Sequence, residues 1–331
     1  MFNFRKSLAT LSGKTVVLLG DPVVDAYIFG ETVRVSREAP VLVVRKERSE
    51  YRLGGVANTA ANVAALGARA IFLGYVPSDP AGDQLLTMLK AAGVETTQVV
   101  RGAGVSAVKT RILAGAYGTG KQQVLRLDEE PPHDGGSVAD KALATRLQEV
   151  GTEADAIIIS EYGLGYAGDA VANAARALAK AARVVCVDSR YALERFAGVT
   201  VVTPNIPEAE AIVKATLNSK EAVERAGPEL LRRLDVEAVL LTKGRHGMSL
   251  FRRHAAPQHI DIVGSDEVTD VTGAGDTVIA TFACGLGAGL GMEESMRLAN
   301  CAAAVVVGKM GTATATPAEI LAIAHEQDPH P

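Results

Sequence analysis

Residues 270–277 read Asp-Val-Thr-Gly-Ala-Gly-Asp-Thr and run straight into an apolar helical stretch, VIATFACGLGAGL. Small residues let a backbone come close to a ligand, and the free N–H groups at a helix start form a positive concavity suited to a phosphate. An aspartate at the end of such a nest, Asp276, would repel that phosphate at close range. The conflict resolves if Asp276 faces the hydroxyl of a second substrate and acts as its base, while the amides of Gly273, Ala274 and Gly275 absorb the developing charge. The plainer alternative is a capping aspartate among turn glycines.

A second constellation lies at GGVANTAANVAALG, residues 54–67. Asn58 and Asn62 are four apart and share a helix face, with Gly54 and Gly55 before them and Gly67 as a stop. Close backbone approach beside amides suits a polyol; capping of the helix start is equally natural. Upstream, the apolar run TVVLLG delivers Asp21 and Asp25 in GDPVVDAY. Carboxylates just past a strand's C-terminal end sit where open α/β sheets bind ligands, so these two read as acceptors for sugar hydroxyls or as metal ligands. Asn205 and Glu208 in TPNIPEAE, and Lys243 and Gly244 in LLTKGRHG, occupy the same kind of position after apolar runs.

Strand-length apolar runs alternate with helical-period stretches from Gly55 onward, the pattern of a mostly parallel sheet wrapped by helices. AIFLGYV (70–76) precedes a helical stretch at 81–93, and ADAIIIS (154–160) precedes another at 168–182. RVVCVD (183–188) and VEAVLLTKG (236–244) supply further strands, and two Ala-rich helices from about Gly275 and Met292 close the chain. Two regions, about 27–53 and 106–128, break the alternation and read as β-ribbons outside the main sheet, forming a lid. With no repeat and no low-complexity linker, the expectation is one α/β domain over residues 1–331 carrying a small β-sheet lid.

Composition narrows the functions. The chain has 331 residues, 38 acidic against 34 basic side chains and a net charge of -4, which argues against a strongly cationic nucleic-acid binder. Aromatics make up 4%, tryptophan is absent and 48% of residues are apolar, so the core must be aliphatic. The longest uncharged stretch, Thr277 to Met292, has 16 residues and four glycines, short of the ~20 apolar residues of a membrane span. Only SLATLS separates Lys6 from Gly13, too little for a signal peptide, so a cytoplasmic location is expected. Cys186, Cys284 and Cys301 are scattered among small apolar residues and read as buried hydrophobes rather than disulfides or metal ligands. No histidine pair has metal-ligand spacing. Gly115, Gly120 and Lys121 mimic a P-loop, but Gln122 replaces the required hydroxyl and QQVLRLD alternates like a strand, so a hairpin turn is the reading. The first strand leads into no dinucleotide fingerprint, which argues against a nicotinamide oxidoreductase.

Together, GGVANTAANVAALGA and DVTGAGDTVIATF resemble the two signature regions of the ribokinase-like, PfkB-type carbohydrate kinase family. The resemblance spans nearly the whole chain. It implies a mostly parallel sheet flanked by helices with a small β-sheet lid, and ATP- and Mg²⁺-dependent phosphorylation of a sugar hydroxyl. Carried over by position, Asp276 would be the catalytic base and Gly273 to Gly275 the anion hole, while Asp25, Gly55 and Asn58 would hold the sugar. Asn205 and Glu208 match the NxxE element tied to Mg²⁺ and phosphates; Thr242, Lys243, Gly244 and Asn300 would lie along the nucleotide. Asp270 and Thr272 match positions that bind a monovalent cation, such as K⁺, in some relatives.

Within the family, RVSREAP (34–40), QQVLRLD (122–128), TPN (203–205), GMSLF (247–251) and VVVGKMGTATATP (305–317) are similar to the D-glycero-β-D-manno-heptose 7-phosphate kinases. The implied acceptor is O1 of the heptose 7-phosphate. Where those kinases tend to read SDYxKG and DPKG, this chain has Ser160-Glu161-Tyr162-Gly163-Leu164-Gly165 and Asp188-Ser189-Arg190-Tyr191. A phosphorylated acceptor needs cations, for which Arg34, Lys109, Arg111, Lys121, Arg126 and Arg190 are the candidates. A kinase of an unphosphorylated hexose or polyol, or a non-catalytic sugar or nucleotide sensor, remains the alternative. APVLVV is an apolar strand with an edge to cover, and the expected assembly is a homodimer through the lid.

Overall fold

In the computed structural model the run TVVLLG forms β1 (Thr15–Gly20), buried at every position after Thr15, as a central strand of a parallel sheet must be. The model describes residues 3–116, 120–131, 136–264 and 269–327. Ahead of β1 stands α1 (Phe4–Leu11), an amphipathic helix whose N-cap Asn3 accepts from the Lys6 amide. After Asp21 come β2 (Pro22–Val35), β3 (Leu42–Gly55), α2 (Val56–Ala65), β4 (Arg69–Leu73), β5 (Tyr75–Pro77), α3 (Pro80–Ala91), β6 (Val100–Gly102), β7 (Ala107–Gly115) and β8 (Gln122–Glu129). The chain continues through α4 (Gly136–Gly151), β9 (Ala156–Glu161), α5 (Asp169–Lys180), β10 (Val184–Ser189), β11 (Val201–Val202), α6 (Ile206–Val213), α7 (Lys220–Leu234), β12 (Ala238–Thr242), β13 (Met248–Arg252) and β14 (Gln258–Ile260). It ends in α8 (Ala274–Gly287), α9 (Met292–Val307) and α10 (Pro317–Gln327).

Eight of these strands form the main sheet in the order β14-β13-β12-β11-β10-β9-β1-β4, parallel from β12 to β4. Alternation along each strand feeds two cores. Val16 and Leu18 of β1 and Ile158 of β9 face a layer with α2, α8 and α9; Val17, Leu19, Ile157 and Ile159 face a layer with α4, α5 and α7. Strand order reverses at β1, whose partners β4 and β9 lie on opposite sides. That reversal opens a crevice beyond the carboxyl ends of β1, β9 and β10.

The two expected ribbons form a single sheet in the order β3-β2-β7-β8. Its root lies earlier than residue 27, because β2 begins at Pro22 and pairs with β7 in parallel from Val23 onward. β8 is exposed along its whole length and antiparallel to β7. The P-loop mimic is therefore the β7–β8 connection of a hairpin, of which residues 117–119 lie outside the described segments. AIFLGYV divides at Gly74 into β4 and β5, and α10 adds a third helix after the two Ala-rich ones. The cysteines are free and buried. No helix of the described residues is long and apolar enough to cross a membrane.

Candidate active site

α8 begins in the crevice. Its N-cap Gly273 has φ +80°, and a Cβ there would stand 2.6 Å from Asn58 Nδ2, so the position excludes a side chain twice over. Asp276 lies in the first helical turn but does not cap it. Its carboxylate, 3% exposed, accepts from Asn58 Nδ2 (2.8 Å) at one oxygen and from Tyr162 OH (2.8 Å) and Thr59 Oγ1 (3.3 Å) at the other. Burial pushes its pKa up to about 6, against the pull of those three donors. A carboxyl group poised there can accept a proton near neutral pH.

Asp276 opens into a pocket of about 210 Å³ shared with Asp25, Gly55, Thr272 and four cations, Lys109, Arg111, Arg126 and Arg190. Arg111 is ion-paired with Asp25 across β2 and β7. Arg126 on β8 donates to Asp128 (Nε to Oδ1, 2.7 Å), and Lys109 Nζ lies 5.8 Å from the Tyr162 ring centroid. Gly54 lies against Asp25, where a Cβ would be 2.5 Å from Oδ2. The glycine pair thus makes room for a carboxylate at the end of β3.

A larger cleft of about 680 Å³ adjoins it, lined by Glu161, Asp188, Asn205, Glu208, Thr242 and Gly275 among others. Asn205 and Glu208 form a reciprocal capping box at the start of α6. Asp188, at the end of β10, accepts from Thr203 Oγ1 (3.1 Å); burial and then the nearby Glu208 and Asp276 push its pKa up to about 8. Glu208 is raised by burial, with Arg190 among the opposing influences. Lys243 faces a third cleft of about 540 Å³ with Lys220, His246, His259 and Asp261, and burial lowers its pKa. Gly244 follows it with φ +54°, and Asn300 Nδ2 donates to the Asp261 carbonyl (2.7 Å).

Several expected site residues are placed elsewhere. Asp21 is fully buried and absent from the pocket; its Oδ2 accepts the Tyr162 and Leu164 amides (2.7 and 3.0 Å), so it fastens the loop after β9. Arg34 lies nine residues beyond Asp25 on the same extended strand, about 30 Å at strand rise, exposed and near only its own neighbour's carbonyl. Lys121 is ion-paired with Glu47 on the lid. The Asn58 amide is spent on Asp276, while Asn62 binds the Asn58 and Ala313 carbonyls (3.0 and 3.2 Å). Asp270 accepts from Thr272 N and Oγ1 (2.9 and 2.7 Å) and from Gly311 N (2.9 Å), donors that outweigh burial and lower its pKa.

Tyr162, Thr59 and Asp188 touch or border the site and were not assigned roles from sequence. Tyr162 and Asp188 stand at the ends of β9 and β10, the same strand-end position that singled out Asp21. Thr59 is one residue from Asn58, and only the packing of α2 on α8 reveals its contact.

The model of the pfkB family carbohydrate kinases matches residues 14–319. The chain is 41% identical over 315 residues to the bifunctional protein HldE of Methylococcus capsulatus, covering 94% of this chain and 64% of that protein. To the bifunctional protein HldE of Halorhodospira halophila it is 43% identical over 307 residues, covering 92% and 62%. The chain thus spans less than two thirds of the length of these relatives. Among solved structures, Arabidopsis thaliana ribokinase complexed with ribose and ATP superposes with a TM-score of 0.74 at 20% identity, covering 94% and 98%. Escherichia coli phosphofructokinase-2 in complex with fructose-6-phosphate gives 0.78 at 17% identity, covering 95% and 99%. Fold, glycine nest and family match agree: the chain belongs to the pfkB family of carbohydrate kinases and has the ribokinase-like fold.

Proposed function

We propose that the protein transfers the γ-phosphoryl group of ATP to a hydroxyl of a sugar that already bears a phosphate, with O1 of D-glycero-D-manno-heptose 7-phosphate as the acceptor. The convergence of Lys109, Arg111, Arg126 and Arg190 on the 210 Å³ pocket beside Asp276 carries this reading. An unphosphorylated sugar brings no charge to match this many cations, whereas the acceptor's phosphate and the transferring phosphoryl group can each take two or three charge-assisted hydrogen bonds. The likeness to the HldE proteins supports the same acceptor.

Asp276 takes the O1 proton as that oxygen bonds to the γ-phosphorus and the bond from phosphorus to the bridging oxygen of ADP breaks. Asn58, Thr59 and Tyr162 hold the carboxylate, and Asp25 with the backbone at Gly54 and Gly55 orients the sugar. The amides at Gly273, Ala274 and Gly275 face the developing charge. The triphosphate lies along Asn205 and Thr242, with Lys243, Gly244 and Asn300 bordering the nucleoside. Mg²⁺ is commonly held by one or two carboxylates plus substrate phosphates. Asp188 and Glu208 would fit that need: both line the cleft, and Asp188, raised first by burial and then by the negative charge of Glu208 and Asp276, would be relieved by a cation. The ion supplies charge neutralisation on the phosphates. Asp270 and Thr272 mark the place for a monovalent cation.

An ADP-release assay over paired sugars with and without a terminal phosphate tests the acceptor. Turnover with heptose 7-phosphate and not with the free heptose is expected; turnover with free sugars alone would overturn the phosphorylated-acceptor reading. APVLVV feeds edge strand β3, where Val41 and Leu42 are exposed, and the opposite edge β8 exposes Val124, Leu125 and Leu127; a second copy would cover one of these edges. Light scattering should show a dimer.

A further inference from the structure

Two side chains, Tyr162 and Arg190, line both the acceptor pocket and the adjoining cleft of Asp188 and Glu208; every other lining residue belongs to one chamber. A phosphoryl group passing from the cleft to the pocket crosses between them. Tyr162 is committed to Asp276. Arg190 is the cation at the crossing.

The four pocket cations differ in what already occupies them. Arg111 is paired with Asp25 and Arg126 with Asp128. Arg190 makes no side-chain ion pair or hydrogen bond among the described residues, and its guanidinium lies 5.8 Å from the Tyr191 ring centroid. Its backbone is nonetheless fixed: Arg190 N donates to the Glu161 carbonyl (3.0 Å), and the preceding Ser189 hydroxyl donates to the buried Glu161 carboxylate (2.6 Å) while accepting the Ala192 amide (2.9 Å). An anchored residue with an uncommitted planar fork, in a cleft also lined by Glu161, Asp188 and Glu208, is suited to a phosphoryl group in transit, whose charge is spread over three oxygens.

We propose that Arg190 is a catalytic residue that holds the transferring phosphoryl group, and that the acceptor's own phosphate is held by Lys109 and Arg126. The assignment deepens the kinase reading of this site and rests on it. Because Arg190 is exposed, its substitution leaves the core untouched.

Steady-state kinetics of Arg190→Met, Arg190→Lys and Lys109→Met on the acceptor that the wild-type enzyme turns over best separates the roles. Arg190→Met should lower kcat by about 10²- to 10³-fold, the scale of one lost oxyanion donor, with the acceptor KM changed less than about threefold. Arg190→Lys should recover part of kcat, and Lys109→Met should raise the acceptor KM. ADP with aluminium fluoride gives a second readout by calorimetry: wild type should bind ADP more tightly when aluminium fluoride is present, and Arg190→Met should lose that gain while its affinity for ADP alone is kept. A raised acceptor KM at unchanged kcat would put Arg190 on the acceptor's phosphate, and unchanged kinetics would make it a solvated surface charge. Either result overturns the proposal. If wild type turns over only free sugars, the acceptor reading falls and the same variants on that sugar decide Arg190. If wild type turns over no sugar, the kinase reading falls, and calorimetry showing no aluminium fluoride gain in wild type would take Arg190 with it.

Discussion

The crevice end of the main sheet and the four-stranded lid supply mostly opposite kinds of residue to one pocket, Arg190 on the frame and Asp25 on the lid excepted. From the main frame come carboxylates on strand ends and a helix start, among them the buried Asp276 and the half-buried Asp188, both raised in pKa as water is excluded from them. From the lid come Lys109, Arg111 and Arg126, on strands that are half-buried or, in β8, wholly exposed. A charge needed for proton transfer gains from a dry, fixed setting that shifts its pKa. Charges needed to recognise an anion must stay ionised, and a solvated sheet allows that at little cost. The contrast fits the proposed division, with chemistry on the frame and acceptor choice on the lid.

Asp276→Asn would break that division most visibly. It should lower kcat by ~10²- to 10⁴-fold, the range for a positioned base, with ATP affinity kept; near-normal turnover would move the chemistry off the frame. The lid should register in KM instead. Arg126→Met is expected to raise the KM for a phosphorylated acceptor about 10-fold or more, since a hydrogen bond to a charged group contributes about 1.5–3 kcal/mol, and to leave any free-sugar KM alone. A matching loss in kcat would blur the two regions.

Two finer tests stay within the frame. The base must be ionised, so kcat/KM should climb with pH to a plateau above about 6. Tyr162→Phe removes a donor that lowers the Asp276 pKa, and should shift that acid limb upward by about 0.5–1 pH unit. An unmoved limb would show that the tyrosine does not touch the titrating group. Asp188 has a folded pKa of about 8 against an ordinary 3.8, so between those values the fold keeps a proton that the unfolded chain releases, and stability falls as pH rises. Asp188→Asn should therefore raise Tm by several degrees above pH 8 and by nothing near pH 4, read by calorimetry.

Much of the frame was legible because its strands are uninterrupted Val, Ile and Leu runs, and the nest at 273–275 because its glycines precede a long apolar helix. Asp276 was legible through its conflict with that nest. Asp21 misled for a physical reason: a strand-end carboxylate faces either the crevice or the neighbouring loop, and the sequence holds no sign of the Tyr162 and Leu164 amides that claim it. Arg34 misled because a cation in a ribbon reveals its sign but not its distance along the strand. The joining of two ribbons into one sheet depends on a parallel pairing of β2 with β7 across some 80 residues, which no local pattern announces.

β2 and β3 run unbroken from the crevice to the far tip of the lid, and Asp25, Gly54 and Gly55 lie near their inner ends. The residues proposed to orient the acceptor and the sheet proposed to bind its phosphate are thus one continuous piece. A lid grafted from a relative would replace Asp25, Gly54 and Gly55 along with the cations. Changing the acceptor by exchange of parts means exchanging the whole of 22–55 and 107–129, while the frame and its proton acceptor can be left in place.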